Sequence, residues 1–418
     1  MTIARRTVLK SMLGAGASAV AMKTPSALAQ GAGPIRIGFI TVKSGPLASG
    51  GIAMEQGMQL YLKERNNMLA RRPVELIVAD TGGSPAVART KAQELVERNK
   101  VHCFVGPLAA FEALALDDYI KQAQMPTICV AAAEDLTQRN PNPWLVRATA
   151  SSAQASYPLG EYAAKELKYK RIAMIADDFA YGHELNAGFQ RAFEDAGGKI
   201  VQKLWPPLTA PDYGTYIAQI KADVDAVFIG FAGSNGFRFV RQFNEYGLNK
   251  KIAILGGMTA IDESILQQMG DDALGIISTC WYSAELDNAV NKNFVEAMRR
   301  DYKVDPGFYA AGTYINGAVL EQALVSIKGN IEDKTAFMKA LRDTRLTETA
   351  RGPVSFDKFG NAIGNIFIRK VVKKDGRLVN SVIKTYPNVS QFWTYNQEEF
   401  LKSPVYSRDY PPAKFLEP

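Results

Sequence analysis

The sequence predicts an α/β protein made of two units of parallel sheet covered by helices. Short β-rich runs alternate with stretches of helical apolar spacing, and this alternation stops and then begins again further along the chain. Size and composition agree. The 418 residues, 47% hydrophobic and 22% charged, make two or three globular domains and exclude long disorder, a coiled coil or a collagen-like fibre.

The first residues form an address. Arg5, Arg6 and Lys10 precede an apolar run from Ser11 to Met22, and Ala27-Leu28-Ala29 supplies the small residues of a cleavage site. Residues 1–29 are therefore expected to be a secretory signal peptide cut near Ala29, and the paired arginines resemble a twin-arginine signal. The apolar run is too short for the roughly 20 residues of a membrane span. Without this segment the 49 basic and 42 acidic residues become 45 and 42, so the net charge falls from +7 to +3. That balance makes no electrostatic case for nucleic acid or an anionic membrane.

Beyond it, Ile35 to Ile40, Val74 to Ala79, Val101 to Val105 and Thr127 to Ala131 are expected strands. Met54, Met58, Tyr61 and Leu62, then Ala88, Ala92, Leu95 and Val96, repeat at helical spacing between them. A strandless break near Arg147–Ala155, rich in Ala, Ser and Thr, separates the units. The second unit offers strands at Ile172–Ala176, Val224–Ile229, Ile252–Leu255 and Ile276–Cys280, with helices at Glu184–Ala196, Tyr213–Ala222 and Phe237–Tyr246. Helices near Phe294–Tyr302 and Thr313–Ile327 follow. The chain then turns β-like, and Asp375-Gly376 marks a hairpin. The aromatic and Pro-rich tail from Phe392 is expected to wrap the surface.

Parallel sheets bind ligands at the carboxyl ends of their strands, so the informative residues are those that follow each strand. No phosphate-binding glycine loop, Walker A loop or G-x-S-x-G elbow stands there, and two His exclude a multi-His metal centre. His183 has no nucleophile beside it and suits a surface helix start, while His102 suits a hydrogen-bonded core position. Asp177 suits the capping of the next helix. Cys103 and Cys129 are expected as buried thiols on neighbouring parallel strands. No enzyme, metal or cofactor is expected from these residues.

Ile37-Gly38 through Ser44-Gly45-Pro46, Val78-Ala79-Asp80, Phe104 to Pro107, Asp177 to Gly182 and Gly352 to Asp357 follow in an order that resembles the periplasmic leucine/isoleucine/valine-binding protein family. Its members are substrate-binding subunits of ABC importers. The resemblance implies two Rossmann-like lobes of the type I periplasmic binding fold, joined by a hinge that the chain crosses near residues 149, 282 and 353. The expected lobes are 30–149 with 283–352, and 150–282 with 353–390, followed by a surface extension over 391–418.

The resemblance also assigns the site, and the departures from it narrow the ligand. Members that bind amino acids hold the α-carboxylate with hydroxyls where this chain has Ala110 and Ala132-Ala133, and the ammonium with a Glu where it has Met258. An ammonium buried without a counter-charge is costly, so a free amino acid is disfavoured. Tyr181, Phe111, Phe231, Met258, Trp281 and Tyr309 instead suit a planar apolar ligand. The expected contacts are these six with Ala110, Glu112, Ala131, Ala132, Ala133 and Ala232. Glu112 either caps its helix or bonds a ligand hydroxyl, and Arg147 either pairs with a ligand carboxylate or ties the lobes. The implied ligand is a small aromatic carboxylate such as a benzoate, hydroxybenzoate or cinnamate, passed to the importer's membrane subunits. The alternatives are a branched-chain amino acid, keto acid or amide, a secreted enzyme, and a ligand sensor on the same scaffold.

Overall fold

The computed structural model describes residues 33–417, so the expected signal segment lies outside the described residues. The apolar run after Pro34 forms β1 (Ile35–Thr41), almost wholly buried, and leads into α1 (Ala48–Lys63). β2 (Met68–Leu69), β3 (Arg72–Asp80), α2 (Pro85–Glu97), β4 (Cys103–Val105), α3 (Ala110–Ala123), β5 (Thr127–Cys129) and β6 (Leu145–Arg147) complete the first sheet and its helices. Ser84 starts α2 by accepting from the Val87 amide, and Pro85 occupies the first turn, where a missing N–H costs nothing.

The strand order is β2-β3-β1-β4-β5-β6, parallel except for β2. Connections from β1 and β4 leave on opposite sides, so a crevice opens at the carboxyl ends of these two strands. Cys103 and Cys129 lie on adjacent parallel strands as buried free thiols, and burial pushes them up to about 12 and about 11.

The second sheet begins after α4 (Ser152–Lys165). It comprises β7 (Arg171–Ala176), α5 (Ala180–Asp195), β8 (Lys199–Leu204), α6 (Gly214–Ile217), β9 (Ala226–Gly230), α7 (Asn235–Glu245), β10 (Ala253–Gly256), α8 (Glu263–Met269) and β11 (Ile277–Cys280). The chain then returns through α9 (Ala289–Tyr302), α10 (Phe308–Ser326), which packs on α1, and α11 (Lys334–Asp343). Finally β12 (Arg345–Leu346), β13 (Val354–Phe356), β14 (Ala362–Lys374) and β15 (Arg377–Val389) join the second sheet, and α12 (Gln397–Lys402) lies in the tail. Its order is β12-β13-β14-β11-β10-β9-β7-β8, with β15 on β14. The strands from β11 to β8 are parallel, and their connections diverge between β7 and β9. Asp375 and Gly376 both have positive φ in the β14–β15 turn, the geometry that a two-residue hairpin requires.

Some elements differ from the sequence-based expectation. The break near Arg147–Ala155 contains the end of β6 and the start of α4, a helix with Pro158 inside it and Ser, Gln and Gly on buried positions. Those residues carry no amphipathic signal because the helix is buried on most sides. The expected helix over Tyr213–Ala222 shortens to α6, while β8 and α11 appear where no element was expected. Asp177 does not cap α5. Phe179 stands at that position, and Asp177 instead accepts from the Ala232 amide at 2.8 Å and Asn235 Nδ2 at 2.7 Å. The tail lies on the second sheet's helices, with Phe392, Phe400 and Tyr406 packed around Tyr157.

Candidate functional site

Loops after β1, β4 and β5 face loops after β7, β9 and β10 across one cavity. The first sheet supplies Leu47, Leu108, Ala109, Ala110, Val130 and Ala132, the second Phe179, Tyr181, Ala232 and Thr259, and the start of α10 adds Phe308 and Tyr309. Both divergence points described above thus open onto the same space. Gly106 allows the approach of the β4 loop: its φ is +104°, and a Cβ there would strike the Ile40 carbonyl.

The lining holds four aromatic rings and no ionised side chain. Thr259 Oγ1 donates to the Phe231 carbonyl at 2.9 Å, so its lone pair is free to accept from the Tyr181 hydroxyl at 2.8 Å. Burial raises both Tyr181 and Tyr309, which stay neutral phenols. Phe111 meets Phe179 edge-on at 5.4 Å and backs the wall. The amides of the first turn of α3, next to Ala109 and Ala110, have no acceptor within the helix and present a partial positive charge.

The lobes touch directly around this space. Ser234 N–H donates to the Pro46 carbonyl at 3.2 Å, and Phe308 N–H to Asp262 Oδ2 at 2.7 Å. Asp262 Oδ1 also accepts from the Ser264 amide at the start of α8, so one carboxylate organises helix starts in both lobes. Behind the cavity, Arg147 donates to the Ala133 carbonyl at 2.6 Å, to Asn361 at 2.8 Å and to Thr137. It ties the β5–β6 loop to the β13–β14 turn and does not line the cavity.

Of the twelve expected contacts, Ala110, Ala132, Tyr181, Ala232 and Tyr309 line the cavity. The other seven do not. Glu112 turns inward to Thr81 and to the amide of Ala109, the residue before α3, at 3.3 Å, and burial pushes it up to about 7. The Ala131 and Ala133 carbonyls accept from Arg147. Phe231 joins Tyr213 and Phe239, each at 5.1 Å, in the second core. Met258 is fully buried in packing, and its neighbour Thr259 faces the cavity. Trp281 lies behind Phe308 at 5.2 Å. Sequence reasoning missed Leu47, Leu108, Ala109, Val130, Phe179, Thr259 and Phe308. The signal for six of these was adjacency, since all but Leu47 stand within two residues of positions that were chosen.

Two α/β lobes closing on an apolar cavity define a solute-binding protein. The family model described as periplasmic binding protein matches residues 34–377, and the chain belongs to that family. Among curated relatives, the Leu/Ile/Val-binding protein homolog 6 of Brucella abortus (strain 2308) is 28% identical over 377 residues, covering 88% of this chain and 96% of its own. An ABC transporter substrate-binding protein from Sphaerobacter thermophilus is 34% identical, with a TM-score of 0.80 over 86% of this chain and 99% of its own. A solute-binding protein of an ABC transporter from Rhodopseudomonas palustris BisB5, solved with 3,4-dihydroxybenzoic acid, is 32% identical, with a TM-score of 0.82 over 86% and 98%. By family and fold this is a periplasmic substrate-binding protein of the kind that serves ABC transporters. Among the described residues no helix is long and apolar enough to cross a membrane.

Proposed function

We propose that the protein captures a small aromatic carboxylate, of the benzoate, hydroxybenzoate or cinnamate type, between its lobes and delivers it to the membrane subunits of an ABC importer. The observation that carries this reading is the lining: four aromatic rings, aliphatic walls, and no carboxylate to meet an ammonium. An amino acid would bury its ammonium uncompensated. A carboxylate alone is served by the free amides at the start of α3, as anions are at helix N-termini. The 3,4-dihydroxybenzoic acid bound to the R. palustris relative supports the same class. The protein acts in the periplasm after export and cleavage near Ala29, and the lobes move about the crossovers near 149, 282 and 353. Ligand contacts to both lobes shift the population to the closed form, which the importer reads.

A second reading has one specific support. Leu47, Leu108 and Val130 on the cavity wall suit a branched aliphatic chain, and the Brucella relative is named for leucine, isoleucine and valine. A branched-chain keto acid fits that wall without needing a counter-charge. A thermal-shift panel separates the two. A ligand at 100 times its dissociation constant adds about 2.7 kcal/mol, so benzoates raise the melting temperature if the first reading holds. A rise with keto acids alone supports the second.

A further inference from the structure

A buried carboxyl pair lies just beyond the cavity wall. Ala132 lines the cavity, and the chain then enters a 3₁₀ turn, Glu134–Thr137. Glu134, in this loop of the first lobe, and Glu184, on α5 of the second, are both buried. Glu134 has three donors: the Ser151 hydroxyl at 2.8 Å, the Ala153 amide at 3.0 Å and Gln138 Nε2 at 3.0 Å. With donors on both oxygens, it has the partners of an ionised carboxylate.

Glu184 has a different set. The Glu134 amide lies 3.2 Å from each of its oxygens, and Ser152 Oγ lies 2.9 Å from its Oε2. Ser152 Oγ is also 3.0 Å from the Ala132 carbonyl oxygen. A serine hydroxyl has one proton, and here it faces two acceptors. Both contacts are hydrogen bonds only when Glu184 supplies the second proton, donating to Ser152 Oγ while Ser152 donates to Ala132.

We infer that Glu184 is held as a neutral acid and, through Ser152, fixes the cavity loop of the first lobe onto α5 of the second, as a positioning residue for ligand capture. The part concerning capture rests on the cavity being the binding site, whereas the protonation does not. The charged groups that face Glu184 agree with it. They are the Glu134 carboxylate and the Arg147 guanidinium from β6, whose hydrogen bonds go to carbonyls, Asn361 and Thr137 and to neither carboxylate. Burial, then the like charge of Glu134, hold the Glu184 carboxyl well above the usual range. Burial raises Glu134 too, against its three donors and Arg147, which favour its charge. Beside Glu134 stand Tyr157 of α4 and Tyr406 of the tail, both raised by burial and neutral.

Urea unfolding of the ligand-free protein between pH 5.5 and 7.5 tests the protonation. A proton released on unfolding raises the unfolding constant about tenfold per pH unit. The raised acid contributes stability that is complete below its unfolded pKa and lost as pH rises. Wild type therefore carries this component and Glu184→Gln, which mimics the neutral acid, loses it, leaving a profile flatter by about one tenfold step per pH unit. Parallel profiles overturn the inference. If Glu184→Gln does not fold, a carboxyl carbon NMR titration of wild type decides, and a Glu184 midpoint near the usual carboxylate value overturns it. With 4-hydroxybenzoate as probe at pH 6, Glu184→Ala weakens binding at least tenfold and Glu184→Gln restores it to within about twofold. Equal losses in both overturn the positioning role. A probe that fails to bind wild type contradicts the aromatic reading and leaves the urea profiles to decide the protonation.

Discussion

The guanidinium of Arg351 lies 4.7 Å from the ring centre of Trp281. Its Nη1 donates to the carbonyls of Ala148 at 2.8 Å and Thr149 at 2.6 Å. Ala148 and Thr149 follow β6, Trp281 follows β11 and Arg351 precedes β13, so one side chain joins three distant segments of the chain. Arg351 is buried with no carboxylate partner among the described residues, and burial brings it down to about 10.

Removing this side chain leaves the Ala148 and Thr149 carbonyls without their donor. Unpaired buried groups cost about 1–3 kcal/mol each, so Arg351→Ala lowers stability by roughly 3 kcal/mol in urea unfolding. Arg351→Lys recovers less than half, because an ammonium lacks the planar fork that lies by the Trp281 ring while also reaching the Asn365 carbonyl. A loss under about 1 kcal/mol contradicts this role for Arg351.

Gly233 has φ +56°, and a Cβ there would strike the Pro46 carbonyl across the cleft. Gly233→Ala therefore opposes closure more than folding. The left-handed backbone alone costs an alanine about 1–2 kcal/mol. The expected outcome is a larger radius of gyration in solution scattering at saturating 4-hydroxybenzoate and binding at least tenfold weaker, with native circular dichroism.

Thr259 and Met258 are neighbours with opposite surroundings. Thr259→Glu puts a carboxylate in the cavity, repels an anionic ligand and weakens 4-hydroxybenzoate binding at least tenfold in calorimetry while the fold survives. Met258→Glu buries a charge in packed core and lowers stability by several kcal/mol, on the order of the cost of an unpaired buried ion. Equal effects at the two positions contradict the placement of the cavity.

Burial pushes Glu112, Asp177 and Glu263 each up to about 7. Each folded-state pKa lies above its unfolded value, so the folded chain binds more protons between about pH 4 and pH 7. Stability is complete below the unfolded values and is lost as pH rises through 7. Urea midpoints therefore fall from pH 5 to pH 8, and Glu112→Gln flattens part of that fall. A midpoint that rises over this interval contradicts the assignment.

The two sheets were legible because their strands are continuous apolar runs, while α4 was hidden by burial of its Ser, Gln and Gly residues. The strand ends that border the cavity were legible too, and the lining by Tyr181, Ala110, Ala132, Ala232 and Tyr309 follows from them. Which of two neighbours faces inward was not. Thr259, not Met258, enters the cavity because its hydroxyl is held by the Phe231 carbonyl, a partner 28 positions away. Arg351 is further still from sequence reasoning, with its first acceptor 203 positions distant. Loops have no period to read, and their orientation is set by such distant partners.

Calorimetric titration of 4-hydroxybenzoate into wild type and Tyr181→Ala tests the central claim most directly. An aromatic-acid receptor binds saturably at one site per chain. Loss of the Tyr181 ring, which faces the cavity and meets Phe179 at 5.9 Å, weakens that binding at least tenfold. Equal affinity in the two proteins, or heat from leucine and none from the aromatic acid, would contradict it.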